Sequence, residues 1–510
     1  MWARRRLEWV TAGWAVALAA AYLVLPRMGS DLSAQVARAG FFAGHGWAPV
    51  DLRWYGGVNQ LGYSLVSQPV MATLGVRVTG ALALVGTAVL LAVLLRRVDA
   101  PRRWPAALIG AACVAGNLVS GRVTYGLGVC FGVGALVLLT YRRMVWLAAP
   151  LALLAAATSP VAGLFAGLAG AALLLAGRVR DGLLVAVPAA VPVGAAALLF
   201  GDGGWMNISL QDMIRSVGVS LLVAVLATPR AVRIGAALSA AGVLTAWLVH
   251  TPVGLNATRL VTMFALPVLA AYARGPRWLA PPVLVAVCVA LSPVVVGDVR
   301  DIGNPASDPA YFRPLRDRLA TLPVTGRVEV PPTRDYWEAA YLGDLPLARG
   351  WLRQADIDRN PLFFTTVPGA PGTGVPLTAA SYRTWLNETS VQYVAVPDTE
   401  PSWPGRAEAA LIDDGLPYLS QIWADAHWRL YAVEDAQPVV APPAMAVVQD
   451  GASLTFDAPI AGDVMIRVRY YRWLRVEPAA VTEPAGVWTR VRVPAPGRYR
   501  LTSALRTSGA

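Results

Sequence analysis

The sequence predicts a polytopic α-helical membrane protein of about eleven spans with a C-terminal exterior region built from an α/β unit and a β-sandwich. Three observations predict it. Hydrophobic residues make up 56% of the 510 and charged residues 15%, where about 25% is usual for soluble domains. Apolar segments of spanning length follow one another as far as about residue 296. Beyond that point the apolar runs shrink to strand length, and proline and glycine punctuate them.

Spans of roughly 17 to 25 residues are expected near 8–26, 76–95, 104–121, 123–140, 144–159, 160–177, 183–200, 212–227, 232–250, 259–273 and 279–296. Thr158-Ser159-Pro160 is the sole divider of the pair covering 144–177, which leaves the count open by one or two. The first segment has the basic start of a signal peptide, Arg4 to Arg6, but ends in Leu25-Pro26-Arg27, so it reads as an uncleaved anchor. Arginines then recur in every second connection: Arg96, Arg97, Arg102 and Arg103, then Arg142 and Arg143, Arg178 and Arg180, Arg230 and Arg233, Arg274 and Arg277. Cytoplasmic loops carry such an excess, so the N-terminus is expected inside. With an odd number of spans, the loop from Arg27 to about Pro69 and the chain after about Val296 are expected outside.

In the exterior part, strand-like runs at Arg327 to Val330, Val391 to Val396 and Trp428 to Val433 alternate with helical patterns around Tyr336 to Leu342, Ala379 to Leu386 and Arg406 to Asp414. That alternation predicts an α/β unit over 297–437. From 438 to 510 the pattern has period two, as in Met465-Ile466-Arg467-Val468-Arg469-Tyr470, which predicts a β-sandwich. The membrane part is then 1–296.

Soluble-enzyme motifs are absent: no phosphate loop, paired-histidine zinc helix or paired-cysteine knuckle occurs. Cys113, Cys130 and Cys288 lie in apolar stretches, against a disulfide framework. All 43 basic residues are arginine, so part of the +12 charge reflects coding bias, and no nucleic-acid partner is expected. Chemistry concentrates at the outer ends of the segments. Asp31 stands where the first segment reaches water, followed by Arg38, His45, Trp47, Asp51, Arg53, Trp54 and Tyr55. Ionisable groups at such a boundary are costly to desolvate and mark a candidate site. Other outer connections add Asn117, Arg122, Asp202, Arg215, His250 and Arg259. Arginine forms short, often bidentate bonds to phosphate, and a carboxylate can take the proton of a sugar hydroxyl. Trp54, Tyr55 and Tyr63 suit either stacking on sugars or an interfacial aromatic belt. Arg467, Arg469, Arg472 and Arg475 are expected to form an exposed basic stripe.

One span, an exterior loop opening on Asp31-Leu32-Ser33-Ala34-Gln35, many further spans and an exterior C-terminal part resemble the GT-C superfamily of membrane glycosyltransferases. Arg53-Trp54-Tyr55-Gly56-Gly57, Leu61-Gly62-Tyr63-Ser64, Arg349-Gly350-Trp351, Asn360-Pro361-Leu362-Phe363-Phe364 and Val391-Gln392-Tyr393-Val394-Ala395 are similar to an uncharacterised bacterial branch near it. The resemblance implies an inverting glycosyltransferase of the bacterial plasma membrane, surrounded by membrane lipids. It would move a sugar from a polyprenyl-phosphate carrier to an extracytoplasmic envelope acceptor, glycan or lipid. Asp31 is the matching position for the acid that acts as base or binds a metal, with Ser33 where many members carry a second acid, so a divalent cation stays open. Arg259, helped by Arg53 or Arg122, would hold the departing phosphate, with Asp51, Trp54, Tyr55 and His250 as further substrate contacts. Two alternatives stand beside it: a multi-span transporter of a small solute or lipid-linked intermediate, and a non-catalytic envelope scaffold. A transporter is expected to show a repeat between halves, and none is visible.

Overall fold

The computed structural model describes residues 5–505; Arg4, part of the basic start, lies outside them. A helix occupies each predicted segment: Arg6–Val24, Val76–Arg97, Arg103–Val119, Val123–Leu138, Ala148–Thr158, Pro160–Leu175, Val179–Phe200, Leu210–Leu226, Arg230–Leu248, Arg259–Tyr272 and Ala280–Ala290. Five stretches among the described residues are long and apolar enough to cross a membrane: Arg6–Val24, Val76–Arg97, Val179–Phe200, Arg230–Leu248 and Gly254–Tyr272. Five further apolar helices have 10–17 residues, and at about 1.5 Å per residue they fall short of a hydrocarbon core of about 30 Å. Val24, Leu198, Val225 and Val289 face outward and are more than two-thirds exposed or close to it. Such a surface costs free energy in water and none in hydrocarbon. Inside, helices meet through small side chains: Ala152, Ala155, Ala156, Ala162 and Ala189 are buried, which lets backbones approach closely.

The stretch expected as a loop after the first segment is largely ordered. It opens as the helix Leu32–His45, whose inward side carries Leu32, Ala34, Ala37 and Phe41 together with Gln35 and Arg38. A two-stranded ribbon, Val50–Asp51 against Val58–Asn59, follows, and the helix Ser67–Leu74 leads back to the bundle. Polar residues hid the helix Leu32–His45 from a reading by hydrophobicity alone: Leu32 and Ala37 pack in an apolar core with Trp337 and Leu342, while Gln35 bonds Tyr63 and Thr124 and Arg38 bonds Gln60.

The C-terminal region, expected to be exterior, contains a four-stranded mixed sheet. Arg327–Glu329 pairs in parallel with Val391–Pro397, which pairs antiparallel with Trp428–Val433, and Leu419–Ala424 closes the edge. The edge strand was not foreseen; its side chains are mostly exposed, so no apolar alternation marks it. After it, seven strands form a four-stranded and a three-stranded antiparallel sheet. The period-two pattern is the reason: in Gly462–Arg469, Val464, Ile466 and Val468 point inward while the residues between them do not. They pack with Phe456, Tyr499 and Leu501 from the facing strands.

The ribbon ties these parts together. The backbone N–H of Leu347 donates to the Arg53 carbonyl at 2.7 Å, Leu52 donates to Gly451 at 2.8 Å, and Arg469 donates to Gly56 at 2.7 Å. Asp202, from the connection after Val179–Phe200, accepts from the Asn59 N–H at 3.0 Å, from Arg359 at 3.1 Å and from the Tyr471 hydroxyl at 2.8 Å. One carboxylate thereby joins the bundle, the first loop, the α/β unit and the sandwich. The expected basic stripe is not free: Arg469 donates to the Tyr55 carbonyl at 3.2 Å and Arg467 to the Pro438 carbonyl at 3.0 Å.

Deep in the α/β unit, Arg349 is surrounded by acids. Its guanidinium lies 2.8 Å from Asp356, 2.9 Å from Glu408 and 3.7 Å from Glu329, all with side chains essentially sealed from solvent. Nearby, burial pushes the Glu338 carboxyl up to about 7, against which its bonds from Thr333 work only in part. A carboxyl whose folded value is raised binds a proton that the unfolded chain has already released, so its stability contribution is complete below about pH 4.5 and lost as pH rises through 7. We therefore expect thermal stability of the exterior region to decline between pH 4.5 and 7, with Glu338 responsible for roughly 3 kcal/mol. The Glu338→Gln variant should flatten that slope in melting curves taken across the window; an unchanged slope would assign it to other groups.

Candidate functional site

Asp31 sits at the N-terminal end of the helix Leu32–His45, where unpaired backbone N–H groups favour negative charge. Its backbone is held independently of its side chain. The Asp31 N–H donates to the Ser120 carbonyl at 3.1 Å, and the Ser30 N–H donates to Asp298 Oδ1 at 3.1 Å. Gly29 makes this approach feasible: it has φ +106°, and a Cβ there would lie 2.5 Å from the Ser120 carbonyl carbon.

Two arginines from remote parts of the chain then meet the carboxylate. Arg122, at the start of Val123–Leu138, reaches Asp31 Oδ2 with Nε at 3.2 Å. Arg259, the first residue of Arg259–Tyr272, reaches the same oxygen with Nη2 at 3.0 Å and lies over the Tyr125 ring at 5.5 Å. Asp31 Oδ1 takes no hydrogen bond from another described residue, and the side chain keeps 15% of its surface accessible.

These three groups line a cavity of about 720 Å³ between the bundle and the exterior region. The bundle side is apolar around Val161, Leu164, Met263 and Ala290 to Leu291. The exterior side brings Arg334, Tyr336, Trp351, Arg353 and Gln354. Arg215 and Asp212 come from the helix Leu210–Leu226, which makes five arginines against two carboxylates on the walls. Tyr63 closes one flank. Its ring lies under the buried Arg38 guanidinium at 4.0 Å, its hydroxyl accepts from Gln35 Nε2 at 2.8 Å, and burial raises its pKa.

Other residues expected at the site lie elsewhere. Arg53 is buried, makes paired bonds to Asp51 at 3.0 and 2.8 Å and a third to the Ala37 carbonyl at 3.0 Å, and packs on Phe41 and Trp54. Trp54 is fully buried in the core shared with the exterior region, and Tyr55 donates its hydroxyl to the Gly350 carbonyl. Asp51 and Arg53 therefore brace the first loop from within, Trp54 and Tyr55 hold it to the C-terminal region, and none of the four lines the cavity. His250 stacks on Trp205 at 4.3 Å, also outside the lining. The physical reason is common to all five: nearness in sequence to Asp31, or to a segment end, does not fix which way a side chain faces. Tyr125, Tyr336, Trp351 and Arg353 also line the cavity, and no sequence signal marks them as site residues; the run Arg349-Gly350-Trp351 enters the resemblance without a role.

The donor set around Asp31 does not fit a metal. Its immediate neighbours are guanidinium groups, and among the described residues no three His, Cys, Asp or Glu side chains are gathered to hold an ion.

No family model matches the chain, and no curated protein does. Among solved structures, it is similar to the arabinofuranosyltransferase AftD from Mycobacteria, at 18% identity over 90% of this chain and 41% of that one, with a TM-score of 0.42. Two structures of a mutant of that enzyme align at 13% identity over 98% of this chain and 60% of theirs, and at 17% over 90% and 43%, both with a TM-score of 0.44. The chain spans about half the length of these neighbours.

Proposed function

We propose that the chain is a membrane glycosyltransferase that moves a sugar from a polyprenyl-phosphate carrier to an envelope acceptor on the outer face of the bacterial plasma membrane. The observation that carries this reading is the meeting of Asp31, Arg122 and Arg259 in a cavity with one apolar wall and one polar roof. The arginine distribution supports an N-terminus in the cytoplasm and the cavity outside.

The chemistry follows from the placement of charge. The acceptor enters beneath the exterior roof, and its hydroxyl oxygen attacks the anomeric carbon. Asp31 Oδ1, the oxygen not engaged by arginine, takes the hydroxyl proton. The bond from that carbon to the phosphate oxygen breaks, and its electron pair leaves with the phosphate. Attack opposite the leaving group inverts the anomeric centre. Arg122 and Arg259 stabilise the phosphate as its charge grows, which is the kind of electrostatic help that often dominates catalysis. The isoprenoid tail lies along the apolar wall.

Removing one cation tests the assignment of donor contacts. Arg259→Gln should weaken donor use by roughly ten- to hundredfold in kcat/KM, the effect of one hydrogen bond to a charged group. Steady-state transfer from a synthetic polyprenyl-phosphate sugar measures it, and an unaltered kcat/KM would remove Arg259 from the donor site. The decisive test of the function is sugar transfer by the purified protein and its loss in Asp31→Asn.

A further inference from the structure

The motif Arg349-Gly350-Trp351 has no part in the mechanism above, yet the structure gives each residue a place. Arg349 is locked by three buried carboxylates. Gly350 lies flat against the Trp54 indole, where a Cβ would come within 2.5 Å of the ring. Its carbonyl also accepts the Tyr55 hydroxyl. The backbone leading into Trp351 is thus fixed, and its side chain lines the cavity and points toward the peptide that carries Asp31. There the indole Nε1–H donates to the Ser30 carbonyl at 3.0 Å. The N–H of the same residue, Ser30, donates to Asp298 from the other side. The indole is only half-buried, lines the cavity, and stands edge-on to Tyr63 at 6.4 Å.

We propose that Trp351 serves both as a positioning residue for Asp31, through its Nε1–H bond to Ser30, and as the surface on which the acceptor sugar rests. Asp298 is its counterpart in positioning. This rests on Asp31 being the base of the transfer reaction. A base must sit within hydrogen-bond reach of the hydroxyl it deprotonates, and a displacement near 1 Å can cost on the order of a hundredfold in rate. The Ser30 carbonyl and the Asp31 N–H belong to one rigid peptide plane, which Trp351 and Ser120 hold from its two edges, and Asp298 holds the plane before it; together they set the direction in which the Asp31 side chain leaves the backbone. The exposed part of the indole offers a rigid apolar surface to the C–H face of a sugar, with a polar edge already engaged.

The two roles separate by substitution. Trp351→Phe keeps an aromatic surface and removes the N–H; kcat should fall roughly ten- to hundredfold while the acceptor KM stays within about twofold. Trp351→Ala should lower kcat similarly and also raise the acceptor KM. Asp298→Ala should lower kcat at unchanged KM, and Asp298→Asn, which retains an acceptor for the Ser30 N–H, should restore it. Melting temperatures of all four, measured on full-length protein in detergent, identify any variant that fails to fold; the Asp298 pair then decides the positioning role if a Trp351 variant is lost. Loss of transfer in Asp31→Asn together with wild-type kcat in Trp351→Phe or in Asp298→Ala would overturn the positioning role and leave the base in place. An unchanged acceptor KM in folded Trp351→Ala would overturn the sugar contact. Transfer retained in Asp31→Asn would overturn the base and this inference with it.

Discussion

Asp31→Asn is expected to cut sugar transfer by about 10²- to 10⁴-fold, the usual contribution of a general base. Asparagine has nearly the same size, its amide oxygen can still accept from one arginine, and the backbone bonds to Ser120 and Asp298 do not involve the side chain. Folding should be preserved. Donor binding should be preserved too, and should tighten, because Arg122 and Arg259 lose the carboxylate that shares them with an incoming phosphate. Parallel assays of transfer and of polyprenyl-phosphate binding separate the two effects. Transfer at the wild-type rate would remove Asp31 from the reaction, whereas loss of both transfer and binding would make it a structural residue.

The largest stability effect is expected at Arg349. Arg349→Met leaves Glu329, Asp356 and Glu408 buried around an apolar side chain, and breaking a buried ion pair from one side typically costs about 3–5 kcal/mol. The α/β unit should lose its compact fold at temperatures where the wild type is intact, as read by limited proteolysis. The origin of the loss is testable because it is electrostatic. Adding Glu408→Gln to Arg349→Met should recover part of the stability by removing one uncompensated charge. Mild acid should do the same, since burial already raises Glu408 to about 7 and Glu329 well above the carboxylate range. If neither acid nor the second substitution helps, lost packing against Phe363 rather than charge explains the defect.

The network at Arg349 and the grip on Asp31 belong to one chain of contacts. The buried ion cluster fixes the loop, the loop fixes Trp351, and the indole fixes the Ser30 peptide. Failure at Arg349 would therefore appear in transfer as well as in melting. Asp202 plays a comparable part for the rest of the exterior region, since Arg359, Asn59 and Tyr471 all depend on it.

The sequence by itself determined the periodic part of this protein. Long apolar runs must leave water and must satisfy their backbone groups internally, so the helices from Arg6–Val24 to Ala280–Ala290 could be read from composition and length. Alternation forced the strands of the sandwich in the same way, because a half-buried strand shows its two faces in its text. Asp31, Arg122 and Arg259 were visible as charges at segment ends, where a lone ionisable group is costly. The tertiary structure alone decided which of the charged and aromatic residues face one another. Arg53 and Arg122 look alike in sequence; one is sealed against Asp51 and Phe41, and the other reaches Asp31 across 91 positions of chain. Trp54 and Trp351 differ likewise, the first buried beneath Gly350 and the second open to the cavity. Periodicity records only whether a side chain meets water or apolar surroundings, whereas the identity of its partner depends on how distant segments pack, and no local pattern carries that information.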